Sequence, residues 1–181
     1  NSLKEMTNTR SKIYDVRSKN KTEKNEVKNL SKLTEKKEGV QNVFSSNISE
    51  FDRVLGKGIV RGSVVLFAGE PGIGKSTLLT QLVGKLGGLY VAGEESAEQI
   101  GLRVKRLGLS AERFDVLETN SIEEIGETLE RAQNVYKIAV VDSIQTMMVA
   151  GTLTGTGTLG SFGSVNQIRE STFRLVELAK K

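Results

Sequence analysis

From residue 44 onward, short apolar runs alternate with stretches in which apolar residues recur three and four positions apart. Residues 63–68 (Ser-Val-Val-Leu-Phe-Ala) form an apolar run of strand length. Over 76–86, Leu78, Leu79, Leu82, Val83 and Leu86 have helical spacing, and Gly87-Gly88 closes the predicted helix. Residues 89–92 read as the next strand. Ser96 with Gln99 forms a capping box that opens a helix over 97–107, with Ile100, Val104 and Leu107 inward. Residues 114–117 predict a short strand. Ser121 with Glu124 caps a helix through Ala132 that carries Ile122, Ile125 and Leu129 on one face. The fully apolar run 138–141 predicts a strand that ends at Asp142. Strands alternating with helices, some of them apolar on both faces, predict an α/β fold: a mostly parallel sheet covered by helices on both sides.

The flanks differ. Upstream, Asn47 with Glu50 resembles a capping box for a short helix bearing Ile48, Phe51, Val54 and Leu55, with Gly56 as its C′ residue. Residues 56–62 are turn-rich and lead into the first strand. Residues 164–181 read as a last helix with Val165, Ile168, Phe173, Val176 and Leu178 partly periodic. Between them, 151–163 is an uncharged run of Gly, Thr, Leu and Ser, predicted to be an irregular, mobile loop. Its backbone N–H groups suit either single-stranded nucleic acid or a spacer; Phe162 is its one aromatic platform.

Charge separates a second region. Residues 1–40 hold 11 Lys/Arg against 6 Asp/Glu, a net of +5, whereas 41–181 hold 15 against 16, a net of −1. Residues 1–42 therefore read as a basic, largely disordered arm, best explained as a solvated tether although its charge also suits nucleic acid. Residues 43–181 form the folded domain. Cysteine and histidine are both absent, which excludes disulfides and leaves no zinc site in this chain. A reducing, cytoplasmic setting is expected. No apolar run approaches the ~20 residues of a membrane span, so no membrane partner is expected.

The chemistry centres on Gly69, Glu70, Pro71, Gly72, Ile73, Gly74, Lys75, Ser76 and Thr77, which spell G-x-x-x-x-G-K-S-T between a predicted strand and a predicted helix. The glycines let backbone N–H groups close on phosphate oxygens, and the helix aims its N-terminus at them. Lys75 can reach the β- and γ-phosphates of ATP, and Ser76 can bind Mg²⁺. Asp142, at the end of an apolar strand, is the second expected Mg²⁺ ligand. Many motor ATPases place the water-activating glutamate directly after this aspartate. Ser143 stands there instead, so Glu94 or Glu95, following the neighbouring strand, is the expected general base. Gln145 and Gln167 are candidate sensors of nucleotide state, and Thr77 and Ser143 are expected beside the nucleotide.

These stretches carry a family resemblance. Residues 48–56 (I-S-E-F-D-R-V-L-G), the loop 69–77, 90–100 (Y-V-A-G-E-E-S-A-E-Q-I), 141–146 (V-D-S-I-Q-T) and 163–170 (G-S-V-N-Q-I-R-E) together resemble the RadA/Sms DNA repair proteins, RecA-like P-loop ATPases. The likeness covers roughly 43–181. It implies a DNA-dependent ATPase in recombinational repair: a ring-forming, hexameric motor on single-stranded DNA that promotes branch migration, with recombinase proteins as possible partners. On that pattern Lys75, Ser76 and Asp142 serve ATP and Mg²⁺, and Glu94 or Glu95 serves hydrolysis. The family also carries a four-cysteine zinc ribbon, further core strands and a Lon-protease-like domain. The expectation is thus a fragment, with a RecA-like core incomplete at its C-terminus. Lys57 and Arg61 replace residues usually Gly and Pro, and 151–163 is longer than the family's stretch there.

Two other readings compete: a KaiC-like or RecA-like ATPase acting on protein partners, and a nucleotide-binding module without turnover. A small-molecule kinase would need an arginine-rich lid between 97 and 137, for which Arg103, Arg106 and Arg113 are the nearest candidates.

Overall fold

The computed structural model describes residues 42–132, 135–150 and 163–181. The expectations for the basic arm and for nearly all of the Gly/Thr-rich loop lie outside them. The described part opens with a two-strand antiparallel ribbon, Val43–Phe44 (β1) and Ile59–Val60 (β2), in which Val43 faces Val60 and Phe44 faces Ile59. Helix Ser49–Val54 (α1) lies between them in sequence. Its start differs from the expected Asn47 cap. Asn47 takes a left-handed φ of 60°, and Ile48 is the N-cap with no side-chain cap bond. Asp52 reaches back instead: its carboxylate accepts from Ser46 N at 2.8 Å and Ser45 Oγ at 2.6 Å. These bonds, led by that from Ser45, hold the Asp52 carboxyl below its usual range. Gly56 follows the helix with φ 79°, as a C′ glycine does.

The expected strand at 63–68 is not a strand here. Among the described residues it pairs with nothing, and Val64, Val65 and Leu66 are exposed. Its composition asks for burial, but a strand exists only where a neighbour completes its hydrogen bonds. The sheet of the described residues ends at another strand, one that makes no ladder with this segment.

The remaining elements fall close to expectation. Helix Lys75–Leu86 (α2) leads to strand Gly88–Ala92 (β3). Helix Ala97–Arg106 (α3) follows, with the Ser96–Gln99 capping box formed in both directions. Strand Phe114–Glu118 (β4), helix Ile122–Ala132 (α4), strand Ile138–Asp142 (β5) and helix Val165–Ala179 (α5) complete the series. Ser121 Oγ accepts from Glu124 N at 3.2 Å, but the Glu124 carboxylate turns to Thr119 Oγ1, so only half of that capping box forms.

The sheet is parallel, in the order β4-β3-β5. Central β3 is buried at all five positions, which is why its sequence is apolar throughout. Its alternation divides the core. Tyr90 and Ala92 pack with Val83 of α2, Ile100 of α3 and Val140 of β5. Leu89 and Val91 point to the other face and pack with Ile122 and Ile125 of α4, with Met147, and with Leu175 of α5. The alternation of β3 separates the two faces, and packing places α2 and α3 on one and α4 and α5 on the other. Among the described residues, no helix is long and apolar enough to cross a membrane.

Gly88 marks where the sheet is tightest. A Cβ there would lie 2.3 Å from the Ile138 carbonyl oxygen. Gly88→Ala should lower stability by about 2 kcal/mol or more, because backbone on β5 cannot yield as a side chain would. Gly101→Ala, in an exposed turn of α3 with nothing within 4 Å of the new methyl, should stabilise by about 0.5–1 kcal/mol. Urea unfolding midpoints of the two variants against the parent chain check both signs.

Candidate nucleotide site

The loop 69–77 is shaped by its backbone. Gly72 and Gly74 have φ of 81° and 99°, and a Cβ on either would meet nothing within 4 Å. The constraint on them is conformational rather than steric: side-chain-bearing residues rarely adopt these angles. Gly74 is the N-cap of α2 in a left-handed conformation, and no side chain caps the helix start. Among the described residues no side chain takes the first N–H groups of α2, which can meet an anion with the helix dipole behind them. Lys75 folds back over the loop, its Nζ donating to the Gly69 and Glu70 carbonyls at 2.8 Å each. Ser76 and Thr77 occupy the first turn of α2, and Thr80 Oγ1 donates to the Ser76 carbonyl at 2.6 Å. Pro71 and Ile73 stand exposed at the loop tip.

The second half of the site is the C-terminal edge of β3 and β5. Ala92 is level with Asp142, and Gly93 N extends the ladder by donating to the Asp142 carbonyl at 2.9 Å. Glu94 and Ser143 thus leave adjacent strands together. Ser143 Oγ donates to Glu94 Oε1 at 2.8 Å. The Asp142–Ser143 peptide bond is cis. Asp142 lies two residues beyond Val140, on the face against which α2 packs. The helix bearing Lys75 and Ser76 and the strand bearing Asp142 are therefore in direct contact.

Glu95 goes elsewhere. Its carboxylate pairs with the Arg103 guanidinium of α3, whose side chain is 14% exposed. The same pair disposes of Arg103 as a free lid arginine. Gln145 is exposed on a single 3₁₀ turn, Ile144–Thr146, directly after Ser143. Gln167 does not reach this edge: it is 1% exposed and its Oε1 accepts from Val149 N at 3.2 Å. It satisfies buried backbone, which corrects its expected role as a nucleotide sensor.

Two contributors were not among the candidate site residues. Asn120, just past β4, donates from Nδ2 to the Gly93 carbonyl at 3.2 Å and the Thr146 carbonyl at 2.9 Å. It ties together the segments that follow β3 and β5. Tyr90 donates its hydroxyl to Asp142 Oδ2 at 2.6 Å. Burial, and then this bond to a carboxylate, push the Tyr90 phenol far above its usual range, so it stays a donor at any ordinary pH. Tyr90 opened the family stretch 90–100 but read there as a strand residue, and a lone Asn after a strand gave no signal at all.

This donor set fits a magnesium-bound nucleoside triphosphate. The loop offers glycine backbone and a lysine to phosphates, and Ser76 and Asp142 offer one hydroxyl and one carboxylate. Among the described residues, no cluster of three or more carboxylates could hold a metal without help. Mg²⁺ takes one or two protein oxygens and completes its shell with phosphate and water.

A family model described as ATPase: KaiC matches residues 44–149. The DNA repair protein RadA of Escherichia coli is 45% identical over 141 residues, covering 76% of this chain and 29% of that protein. The RadA proteins of Streptococcus pyogenes serotype M1 and Aquifex aeolicus are 47% and 42% identical over 139 and 141 residues, covering 75% and 76% of this chain. They are covered over 29% and 30% of their own lengths, so the chain spans less than a third of these relatives.

The Asn120 clamp predicts a local effect. Asn120→Ala leaves two carbonyls short of a donor and should cost about 1–3 kcal/mol. Amide exchange should accelerate most at 93–95 and 143–147. Uniform acceleration across the sheet would show that Asn120 supports the whole fold rather than this edge.

Proposed function

The chain belongs to the RadA/Sms family of RecA-like ATPases, and from that premise we propose that it is the ATP-hydrolysing part of a DNA-dependent repair motor. One observation carries the catalytic half: β3 and β5 end level at Ala92 and Asp142, and just beyond them Ser143 Oγ lies 2.8 Å from Glu94 Oε1. Lys75 would exchange its two loop carbonyls for the terminal phosphates, and the free N–H groups of α2 would take the rest of their charge. Ser76 and Asp142 would hold Mg²⁺, which when bound neutralises phosphate charge during transfer. Glu94 is the group we assign to polarise the attacking water, with Ser143 Oγ orienting its carboxylate. Glu95 is assigned to Arg103 instead, since an ion-paired carboxylate is a poorer base. Gln145, exposed beside Ser143, is the residue we assign to report the phosphate state. Gly69, Glu70, Pro71, Gly72, Ile73 and Gly74 form the phosphate cradle, and Thr77 flanks it.

Single-stranded DNA as the stimulating partner, and a homo-oligomeric ring as the working form, rest on the family alone. A KaiC-like ATPase directed at a protein remains the competing reading.

The test is Mg²⁺-dependent ATP hydrolysis with and without single-stranded DNA. Lys75→Ala should abolish turnover. Glu94→Gln should reduce it by about 10²-fold or more, whereas Glu95→Gln should cost less than about 10-fold. The reverse ranking would move the base to Glu95. DNA-indifferent hydrolysis would favour the protein-directed reading, and no turnover would overturn the motor.

A further inference from the structure

We propose that Tyr90 is the positioning residue for the Asp142 carboxylate, fixing which of its oxygens is left for Mg²⁺; this rests on the reading of Asp142 as a metal ligand. The geometry follows from the register. Tyr90 is level with Val140, so Asp142 lies two residues farther along β5 on the same face. Two strand residues span about 6.6 Å, a diagonal that an aromatic side chain can cross. The Tyr90 hydroxyl meets Asp142 Oδ2 at 2.6 Å. Among the described residues, Oδ1 accepts no side-chain hydrogen bond. The carboxylate is thus divided into one oxygen held from within the core and one left over.

What makes Tyr90 suited to this work is that its own position is over-determined. The ring is 1% exposed and stacks on Phe114, with centroids 5.9 Å apart and planes 19° apart. Val83 of α2, and Ile100 and Val104 of α3, share its cluster. A phenylalanine would fill the same space. Only the hydroxyl distinguishes tyrosine there, and it is spent on the one carboxylate at the edge of the site. An aspartate at a strand end has two free side-chain torsions. A donor anchored in packed core removes that freedom before any metal arrives, as outer partners of metal ligands do.

The test reads metal coupling rather than turnover. Binding of a fluorescent ADP analogue is titrated with Mg²⁺ for the parent, Tyr90→Phe, Asp142→Asn and Val104→Ala, and again in EDTA. Tyr90→Phe should raise half-saturating Mg²⁺ by about 10-fold, while affinity in EDTA stays within about twofold and thermal unfolding stays cooperative. Val104→Ala loosens the same cluster without touching the hydroxyl; it should lower Tm and leave the Mg²⁺ midpoint in place. A Tyr90→Phe midpoint that is unchanged or lower, with Asp142→Asn shifted, overturns the role of Tyr90 alone. An equal shift in Val104→Ala also overturns it, since general loosening would then suffice. No shift in Asp142→Asn overturns the assignment of Asp142 itself, and with it this inference.

Discussion

The level pairing of β3 with β5 is the constraint on which the site depends. Because the two strands run parallel and Ala92 faces Asp142, both chains leave the sheet at the same height. Glu94 and Ser143 then follow the ends of neighbouring strands, within reach of one another's side chains. A slip of one residue would turn Asp142 to the α4–α5 face and part it from both Tyr90 and α2. Glycines stand at the start of β3 and just past its end, where the neighbouring segments come closest. Gly88 admits the Ile138 carbonyl at one end, and Gly93 admits Thr146 at the other, where a Cβ would lie 2.0 Å from Oγ1. A side chain at either glycine would force the segment facing it to move.

Around that pairing the charges sort themselves. Two consecutive glutamates emerge from β3, and like charges so close repel unless one is compensated. Arg103, one-seventh exposed on α3, takes Glu95, while Glu94 turns to a neutral hydroxyl at the sheet edge. One carboxylate is thereby made part of the scaffold, and the other is left at the sheet edge beside Ser143. Arg103 also leaves Nη1 buried without a partner among the described residues, so the pair costs desolvation as well as contributing attraction.

Much of the architecture was legible in the chain. The capping box at Ser96 and Gln99, the apolar runs of β3 and β5, and the helical spacing of α2 each reported a local preference that packing then reinforced. The phosphate loop was legible because its demands fall on the backbone of consecutive residues. Residues 63–68 show the limit: their composition states a need for burial, but strand formation requires a partner that local sequence cannot supply. The cap of α1 failed for a related reason. Asp52 won the upstream donors from a position that no capping pattern anticipates.

Local chemistry, then, was determined by the sequence itself: which residues bend the loop, which begin α2, which carboxylates stand at strand ends, and which relatives the chain resembles. The division of labour among them was decided by tertiary structure. Glu94 and Glu95 are indistinguishable as a dipeptide, and only the place of Arg103 on the packed face of α3 separates them. Tyr90 reads as one more apolar residue until its register beside Asp142 gives its hydroxyl a partner. Gln167 reads as a polar candidate until burial gives it Val149. In each case the deciding contact joins residues eight or more apart in sequence, or on different elements. Such contacts are set by the twist, register and packing of the sheet, which no short window of sequence contains.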